Sequence, residues 1–443
     1  FFFFFGTMGK NRGVVMYKKI IAITILSIVT GLVILNSVKI KDIEVEKSQK
    51  QVNNTNMLTM MLETEAGTGN YEEVKQSEWP QDGYAFNASL SRCENGGTLS
   101  WDDDAKKVIL NTDVSDKCYI YFDIYNPTLT ELCAGKTLAD CIKENVYIED
   151  GENGLYYHDG VGTYTNASEE AGDNSYRYSG TNPNNFVCFG SDELTCADDN
   201  LYRIIGLFDD DQDGIYNIKL ISNNSIGNSN WDSDNISFNS LIDINNGNNE
   251  YTISQMNNIL AAPETPFGGN EWATADINYY INYDLFWNKL ENKWQNMIAT
   301  TVWNVGGNTD DNILYTSVKN AYQNEIVNPI ENITYSDEIG LMYVSDYGYA
   351  AAPSNWTTEL NNYESATSTN WLYLGSEEWT ISKDTSSGQL VFSIQSNGEI
   401  WFHFVSNPDS SLNFRPCFYL KNSVLLNNGT GSMSDPFKIS IKY

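Results

Sequence analysis

Short apolar runs separated by Asn, Gly, Asp and Ser turns constrain the fold of this chain most. Runs such as 84–90 and 107–111 alternate, and turn sequences such as Asp82-Gly83 and Asn95-Gly96 separate them. Such alternating runs predict β-strands, because successive side chains of a strand point to opposite faces. The residues between the runs favour the backbone conformations of tight turns. Apolar residues follow the spacing of a helix most clearly over 128–147. The sequence therefore predicts an α+β fold that is mostly β, with short strands and a few helices.

The charge of the chain limits its partners. Its 443 residues include 26 Lys and Arg against 58 Asp and Glu, a formal net charge of -32. This charge repels phosphate backbones and anionic lipid surfaces, so nucleic acid is not an expected partner. Calcium, cationic groups and uncharged sugars remain compatible ligands. The 28 Tyr, 19 Phe and 11 Trp suit either a core or a binding surface, and composition does not divide them between these uses.

The N-terminal part predicts export. Residues 1–15 resemble translated upstream sequence or a non-native segment, because Met16 opens a more conventional start. Two lysines then precede an apolar run from Ile20 to Leu35, which predicts a signal peptide or membrane anchor over 16–38. A buried core helix is the alternative interpretation of this run. We expect an extracytoplasmic protein that is anchored at the cell surface through this segment or secreted.

The rest of the chain divides into four predicted segments. Charged and amide residues over 39–78 predict a stalk or linker. Short alternating runs over 79–124 predict a small β domain, and leucines at near-helical spacing predict a helical connector over 125–150. One large domain is predicted over 151–443.

Within the large predicted domain, some elements are specified more sharply. The runs 201–208 and 215–221 predict adjacent buried strands. The runs 277–298 and 318–326 predict helices that pack on those strands. Asn, Gly and Ser turns separate the remaining short strands, and no repeat period is detectable.

The cysteines predict disulfides rather than zinc, because none of the seven forms the C-x-x-C spacing of a structural zinc site. In an oxidising compartment the simplest pairing is Cys93 with Cys118, Cys133 with Cys141, and Cys188 with Cys196. The first bond would compensate for the small core of its domain. Cys417 is left over and lies in an apolar run, which indicates a buried side chain rather than a reactive thiol.

Two blocks of sequence resemble known proteins. In the first block, the segments 79–84 (WPQDGY), 93–97 (CENGG) and 115–119 (SDKCY) resemble an N-terminal module of uncharacterised surface proteins from gut bacteria. In the second block, the segments 200–206 (NLYRIIG) and 340–350 (GLMYVSDYGYA), with 371–382, resemble the C-terminal domain of the same proteins.

The end of the second block carries a further resemblance. The segment 414–420 (FRPCFYL) is similar to the terminal arginine-proline-aromatic strand of a bacterial family related to C-type lectin-like and formylglycine-generating-enzyme-like folds. This resemblance implies a C-type-lectin-like domain over roughly 154–443, in which the segment 382–414 presents an exposed face for ligand recognition. The activity of the formylglycine-generating relatives is not expected, because no cysteine pair here matches their reactive motif.

Residues 389–404 predict a β-hairpin, because Asn397-Gly398 forms a two-residue turn between apolar runs. On the second strand Phe402 and Phe404 share one face, and we expect them in the core. The opposite face predicts a binding surface. Its candidate ligand-binding residues are Trp401, His403, Lys383 and Gln395. A buried Trp401 is the alternative.

The run Asp209 to Gly214 resembles the front half of a calcium loop, in which Asp209, Asp211 and Asp213 are the candidate ligands. The second half does not match the pattern of a calcium loop, because Leu220 stands at the position where the loop needs a glutamate. An acidic hairpin tip between two strands explains the same residues without metal. No cofactor is required by the sequence, and calcium is the one that it leaves open.

Sequence motifs give little support for catalysis. The chain has 2 His and lacks the G-x-S-x-G, H-E-x-x-H and glycine-rich phosphate-loop motifs. We therefore predict a non-catalytic bacterial cell-surface protein for ligand binding or adhesion, which recognises a glycan or a host or bacterial surface protein through an exposed face near 379–414. A pilin-like or surface-layer subunit is the structural alternative. An exported glycan hydrolase is the enzymatic one, because it needs two positioned carboxylates whose separation the sequence does not show.

Overall fold

A computed structural model describes residues 56–75, 83–146, 149–150, 152–160, 169–209, 212–232, 269–406 and 411–441. The chain divides into two compact units, Phe1–Asn126 and Pro127–Tyr443. Among the described residues, strands account for 36% and helices for 21%, so the predicted α+β, mostly β class is confirmed. The predicted anchor over 16–38 lies outside the described residues. Among the helices that are described, none combines the length and the apolar character that crossing a membrane requires.

The described part of the smaller unit is a sheet with an additional hairpin. Its strands are β1 Met57–Glu63, β2 Tyr71–Val74, β3 Tyr84–Phe86, β4 Arg92–Cys93, β5 Thr98–Asp102, β6 Lys107–Asn111 and β7 Lys117–Ile124. The sheet has the order β2-β1-β7-β3, β4 also pairs with β7, and β5 pairs with β6. Side chains of β7 alternate between buried and half-buried, so Ile120 and Phe122 enter the core.

Residues 56–75, which the sequence assigned to a stalk, form part of this sheet instead. β1 runs parallel to β7 and antiparallel to β2. Met60 and Leu62 are 0% and 5% exposed, because the apolar run that contains them supplies a core strand of the unit. The linker prediction fails here since the partner strand β7 lies far along the chain, where local composition carries no sign of it.

The three predicted disulfides are confirmed. They are Cys93–Cys118, Cys133–Cys141 and Cys188–Cys196. The bonds indicate an oxidising, extracytoplasmic environment. Cys417 is free and buried, and burial raises the pKa of its thiol to about 12. It therefore behaves as the small buried side chain that the sequence predicts.

The larger unit combines many short strands with short helices. Its helices are α1 Leu129–Leu132, α2 Leu138–Asn145, α3 Asp276–Tyr279, α4 Asn292–Gln295, α5 Asp310–Ile313, α6 Val318–Tyr322 and α7 Val344–Ala350. Its 3₁₀ turns are Asp198–Asn200, Trp272–Thr274, Trp287–Lys289, Pro353–Asn355 and Leu360–Thr369. The π-helical turns Tyr280–Asp284 and Gln323–Val327 follow α3 and α6.

The strands of this unit complete the series. The first are β8 Glu149–Asp150, β9 Asn153–Tyr157, β10 Tyr176–Ser179, β11 Phe186–Cys188, β12 Leu201–Phe208, β13 Asn217–Ser222, β14 Gly227–Ser229, β15 Ile298–Ala299 and β16 Thr301–Asn304. The others are β17 Thr334–Asp337, β18 Ile339–Gly340, β19 Glu378–Asp384, β20 Leu390–Ile394, β21 Ile400–Phe404, β22 Leu412–Phe414, β23 Cys417–Leu420, β24 Val424–Asn428 and β25 Phe437–Ile441.

The described strands of the larger unit form two main sheets. The large sheet has eleven strands, whose main path is β15-β23-β13-β12-β10-β9-β8, and the small sheet has five, in the order β14-β22-β19-β20-β21. The predicted neighbouring strands are β12 and β13, which pair antiparallel. All the side chains of β12 are buried, as expected for a strand that is covered on both faces.

The predicted helices are present but short. The connector predicted over 125–150 contains α1 and α2, which Thr128 and Thr137 cap through side-chain hydrogen bonds. Ile142 of α2 is fully buried in the core of the larger unit, so this segment belongs to that unit. In the region after α3, the Asn282 amide exchanges two hydrogen bonds with the backbone of Ile339, and this fixes the π-helical turn to β18.

Candidate ligand-binding sites

The predicted hairpin at 389–404 is confirmed. β20 and β21 pair antiparallel, with Phe392 opposite Phe402, and Asn397-Gly398 lies at the turn. Gly398 has a φ of +89°, and an added Cβ would lie 2.1 Å from Cγ2 of Thr367, so the turn requires glycine. The hairpin places β21 at one edge of the small sheet.

β21 carries an aromatic strip, which we define as Trp401, Phe402, His403 and Phe404. Trp401 is 39% exposed and Phe404 is 52% exposed. The ring centroids of Trp401 and Phe402 are 5.1 Å apart, with an interplanar angle of 21°. The prediction that Phe404 lies in the core is wrong, because β21 is an edge strand and its side chains have fewer neighbours. Of the two alternatives for Trp401, the structure shows the exposed one.

Polar groups support the strip on the face that Trp401 and His403 share. Oγ of Ser393 lies 2.9 Å from Nδ1 of His403, and the Gln395 amide donates a hydrogen bond to the same hydroxyl at 2.9 Å. Burial lowers the pKa of His403 below its ordinary value, although Glu377 acts in the opposite direction. His403 is therefore neutral at pH 7, and the strip together with Gln395 offers rings, an imidazole and an amide without formal charge.

Lys383, which the sequence grouped with these residues, does not belong to an exposed surface. Its side chain is 4% exposed, and its ammonium contacts the carboxylates of Glu271 at 2.8 Å and Glu331 at 2.6 Å. A buried lysine requires such ionic partners because its charge is costly to remove from water. The structure thus places Trp401, His403 and Gln395 together and gives Lys383 a structural ion-pair role.

The acidic turn after β12 uses its carboxylates to satisfy the backbone. The Asp209 carboxylate accepts the N–H groups of Asp213 at 3.0 Å and Gly214 at 2.9 Å, and the Asp213 carboxylate accepts the N–H of Ile215 at 2.8 Å. This is the pattern of a turn stabilised by aspartate side chains. Asp211 lies outside the described residues. Calcium binding at this turn stays a prediction from the sequence.

A second candidate site, the sheet cavity, lies on one face of the large sheet and has a volume of about 530 Å³. Strand register explains its position. Arg177 pairs with Gly206, Gly206 with Lys219, Lys219 with Tyr419, and Tyr419 with Ala299. Directly opposed residues of antiparallel strands point to the same face, so this row brings side chains from distant parts of the chain into one cavity.

The floor of the sheet cavity is a buried ionic network. Nζ of Lys219 lies 2.6 Å from Oδ2 of Asp346, and Nη2 of Arg177 lies 2.5 Å from Oδ2 of Asp173. Nη1 of Arg177 also approaches Asp346 at 3.8 Å. Burial raises the pKa of Asp173, but the charge of Arg177 and hydrogen bonds from Ser175 outweigh this effect and lower the pKa to about 2. Both carboxylates are thus committed to the cations beside them.

Aromatic rings form the walls above this floor. The Lys219 ammonium lies 4.4 Å from the ring centroid of Tyr343, and the Arg177 guanidinium lies 4.7 Å from that of Phe208. Such cation–π contacts compensate part of the cost of burying the two cations. Phe208, Tyr343 and Tyr419 are each 7% exposed and Tyr322 is 8% exposed, so a small part of each ring stays accessible.

The first turn of α7 holds the central acid of the network. Asp346 accepts the backbone N–H of Tyr343 at 2.8 Å, which fixes its carboxylate at the start of the helix. Behind it, Glu325 accepts the N–H of Ser345 at 2.7 Å and the hydroxyl of Ser382 at 2.6 Å. Burial raises the pKa of Glu325 to about 7, despite the opposing effect of these hydrogen bonds.

Sequence reasoning missed the sheet cavity. Its charged residues come from β10 and the segment before it, from the acidic turn after β12, from β13 and from α7, and Lys219 and Asp346 stand 127 positions apart. The available signal was a lysine inside the apolar strand β13 and an aspartate inside the aromatic run 341–350. Charged residues in buried segments need partners, but the sequence does not show which partner each one meets.

Comparison of the chain with protein-family models, curated proteins and solved structures found no match. The function is therefore inferred from the geometry of the aromatic strip and the sheet cavity.

Proposed function

We propose that this protein is a non-catalytic ligand-binding or adhesion protein of the bacterial cell surface, which recognises a glycan or a surface protein through the aromatic strip. The observation that carries the proposal is the exposure of Trp401, which is 39% accessible while its ring stacks on Phe402. An indole of this kind offers a large rigid contact area, and aromatic residues are enriched where proteins bind partners.

The chemistry of the strip suits an uncharged ligand. The Trp401 ring can stack against the C–H face of a sugar or against a peptide side chain. Gln395 and His403 can supply hydrogen bonds from the same face. Because His403 is neutral at pH 7, the strip recognises its partner through shape and hydrogen bonding rather than through attraction between opposite charges.

The location at the cell surface rests on two further observations. The three disulfides indicate an oxidising environment, as outside the cytoplasm. The sequence predicts an anchor over 16–38, which would hold the protein at a membrane. The resemblance to C-type lectin-like domains agrees with recognition as the function and stays part of the proposal.

The ion pairs formed by the acidic residues of the sheet cavity favour ligand binding over glycan hydrolysis as the function. A glycosidase needs one carboxyl group that is protonated near neutral pH and can deliver its proton to the substrate. In the sheet cavity, Asp173 and Asp346 are ion-paired with Arg177 and Lys219, and the pKa of Asp173 is lowered to about 2. Asp173 is therefore ionised near neutral pH, and the carboxylate of Asp346 is engaged by Lys219. Glu325, whose pKa is raised to about 7, is buried and is not among the residues that line the cavity.

A structural subunit is the second candidate, and the edge position of β21 favours it. A strand edge at the border of a sheet can pair with a second copy of the chain and extend into an assembly. This candidate predicts polymers whose formation depends on β21. Analytical ultracentrifugation of the full-length protein separates it from the binding proposal, which predicts that ligand binding does not require polymerisation.

The test of the proposed function is a glycan and protein array probed with the full-length protein, followed by measurement of affinity for the selected ligand. Trp401→Ala should weaken binding at least tenfold and leave the thermal midpoint nearly unchanged. Tyr315→Ala is the matched control, because Tyr315 is an aromatic residue of the same unit with 47% exposure and lies outside the strip.

Three outcomes would refute the proposal. Equal affinities of the Trp401→Ala variant and the wild type would exclude the strip as the contact surface. A large loss of stability in that variant would identify Trp401 as a packing residue. Polymers without affinity for any glycan or protein on the array would favour the structural subunit.

A further inference from the structure

We infer that the sheet cavity is a second binding site, distinct from the aromatic strip, and that its ligand is the uncharged end of an oligosaccharide. The lining residues of the cavity include none of the strip residues. Its volume of about 530 Å³ falls within the usual range of small-ligand sites, roughly 300–1,000 Å³. A cavity of this size accepts the end of a chain while the rest of the chain extends into solvent.

The charges of the lining disfavour ionic ligands. Arg177 and Lys219 face three carboxylates, those of Asp173, Asp209 and Asp346, so the formal sum is 2 minus 3, or -1. An anionic ligand would enter a net negative site whose two cations already have partners. A cationic ligand would meet carboxylates that already accept hydrogen bonds from Arg177, Lys219 or the acidic turn. A neutral ligand avoids both costs.

The lining also disfavours a purely apolar ligand and fits a sugar. Besides the four accessible rings, amide and hydroxyl side chains line the cavity, among them Asn217, Asn304 and Thr301. An apolar ligand would remove these groups from water without replacing their hydrogen bonds. Sugar hydroxyls donate and accept, so they can pair with amides and hydroxyls, while sugar C–H faces pack on the rings.

Contacts within the protein hold the side chains of the cavity floor in place. The floor consists of side chains from neighbouring strands, which the ionic network locks together: Lys219 is 1% exposed and Arg177 is 3% exposed. The small side chain of Ala299 lies opposite Tyr419 and leaves space beside that ring. A rigid site loses little conformational entropy when its ligand binds.

The test uses isothermal titration calorimetry of the full-length protein with a panel of neutral di-, tri- and tetrasaccharides, and with uronic-acid analogues of any that bind. Ala299→Trp fills the cavity and should weaken binding of the neutral saccharide at least tenfold. Ala134→Trp is the matched control, because Ala134 is exposed and lies outside the cavity lining. The uronic-acid analogue should bind at least tenfold more weakly than its neutral counterpart.

Any of three results would overturn the inference. The protein binds no neutral saccharide of the panel, the Ala299→Trp variant binds the saccharide as tightly as the wild type, or the uronic-acid analogue binds more tightly than its neutral counterpart. If Ala299→Trp fails to fold, Thr301→Phe fills the same cavity from β16 and decides the question. Saccharide binding that is lost in Trp401→Ala but kept in Ala299→Trp would refute the cavity site and leave the proposed function intact.

Discussion

Glu325 should make the stability of the protein fall as the pH rises towards neutrality. In the folded protein, burial raises the pKa of this carboxyl from its ordinary value of 4.5 to about 7. Between these two pH values the folded state holds a proton that the unfolded state has released. Because the native state then binds more protons, the free energy of unfolding decreases with increasing pH. A shift of this size corresponds to a loss of about 3 kcal/mol once the pH exceeds the folded pKa.

The variant Glu325→Gln removes this titration and keeps the hydrogen-bonding shape of the side chain. Its amide can still accept the N–H of Ser345 and contact the hydroxyl of Ser382. Urea unfolding of both proteins between pH 4 and pH 8 measures the effect. The stability of the variant relative to the wild type should rise by about 3 kcal/mol over this range. A difference that does not depend on pH would refute the account of a buried, proton-holding Glu325.

Two other predictions concern stability. Arg415→Met should cost about 3–5 kcal/mol in urea unfolding, because it leaves the Glu378 carboxylate buried without the guanidinium that contacts it at 2.6 and 2.9 Å. The double variant that also carries Glu378→Met should recover much of this loss, and no recovery would contradict the ion-pair explanation. Replacing Cys188 and Cys196 with Ser should lower stability by about 2–3 kcal/mol, since the bond closes a short loop. An unchanged thermal midpoint would show that this bond is dispensable.

The features that the sequence predicted well depend on local signals. The turn at Asn397-Gly398 specifies its hairpin, and the apolar run 201–208 becomes the buried strand β12. Cys188 and Cys196 are close in the sequence and bond to each other. In each case, the residues that determine the structure are neighbours along the chain, so pattern and spacing were sufficient.

The features that were missed depend on pairing between distant segments. The apolar run at Met57 becomes a strand because β7 lies beside it, whereas the charged and amide residues around the run resemble a linker. Lys383 was a candidate ligand-binding residue, but in the fold its ammonium is paired with Glu271 and Glu331. Phe404 has the parity of a core residue, but the border position of β21 exposes it. No local pattern contains this information.

The sheet cavity has the same origin. The register of five strands, and the helix α7 above them, decide which charged side chains meet. Burying four ionisable groups together is costly unless each has a partner, and the observed pairs satisfy this requirement. The sequence showed that Lys219 and Asp346 stand among apolar residues, but it did not show that they contact each other.

The most direct test of the proposed function is hydroxyl-radical footprinting of Trp401 with and without the ligand that the array selects, read by mass spectrometry. Trp401 is the exposed indole of the strip, at 39%, and oxidation should report its accessibility. The account predicts that bound ligand protects Trp401 from oxidation, while Tyr315 reacts as before. Unchanged oxidation of Trp401 at saturating ligand would contradict recognition through the aromatic strip.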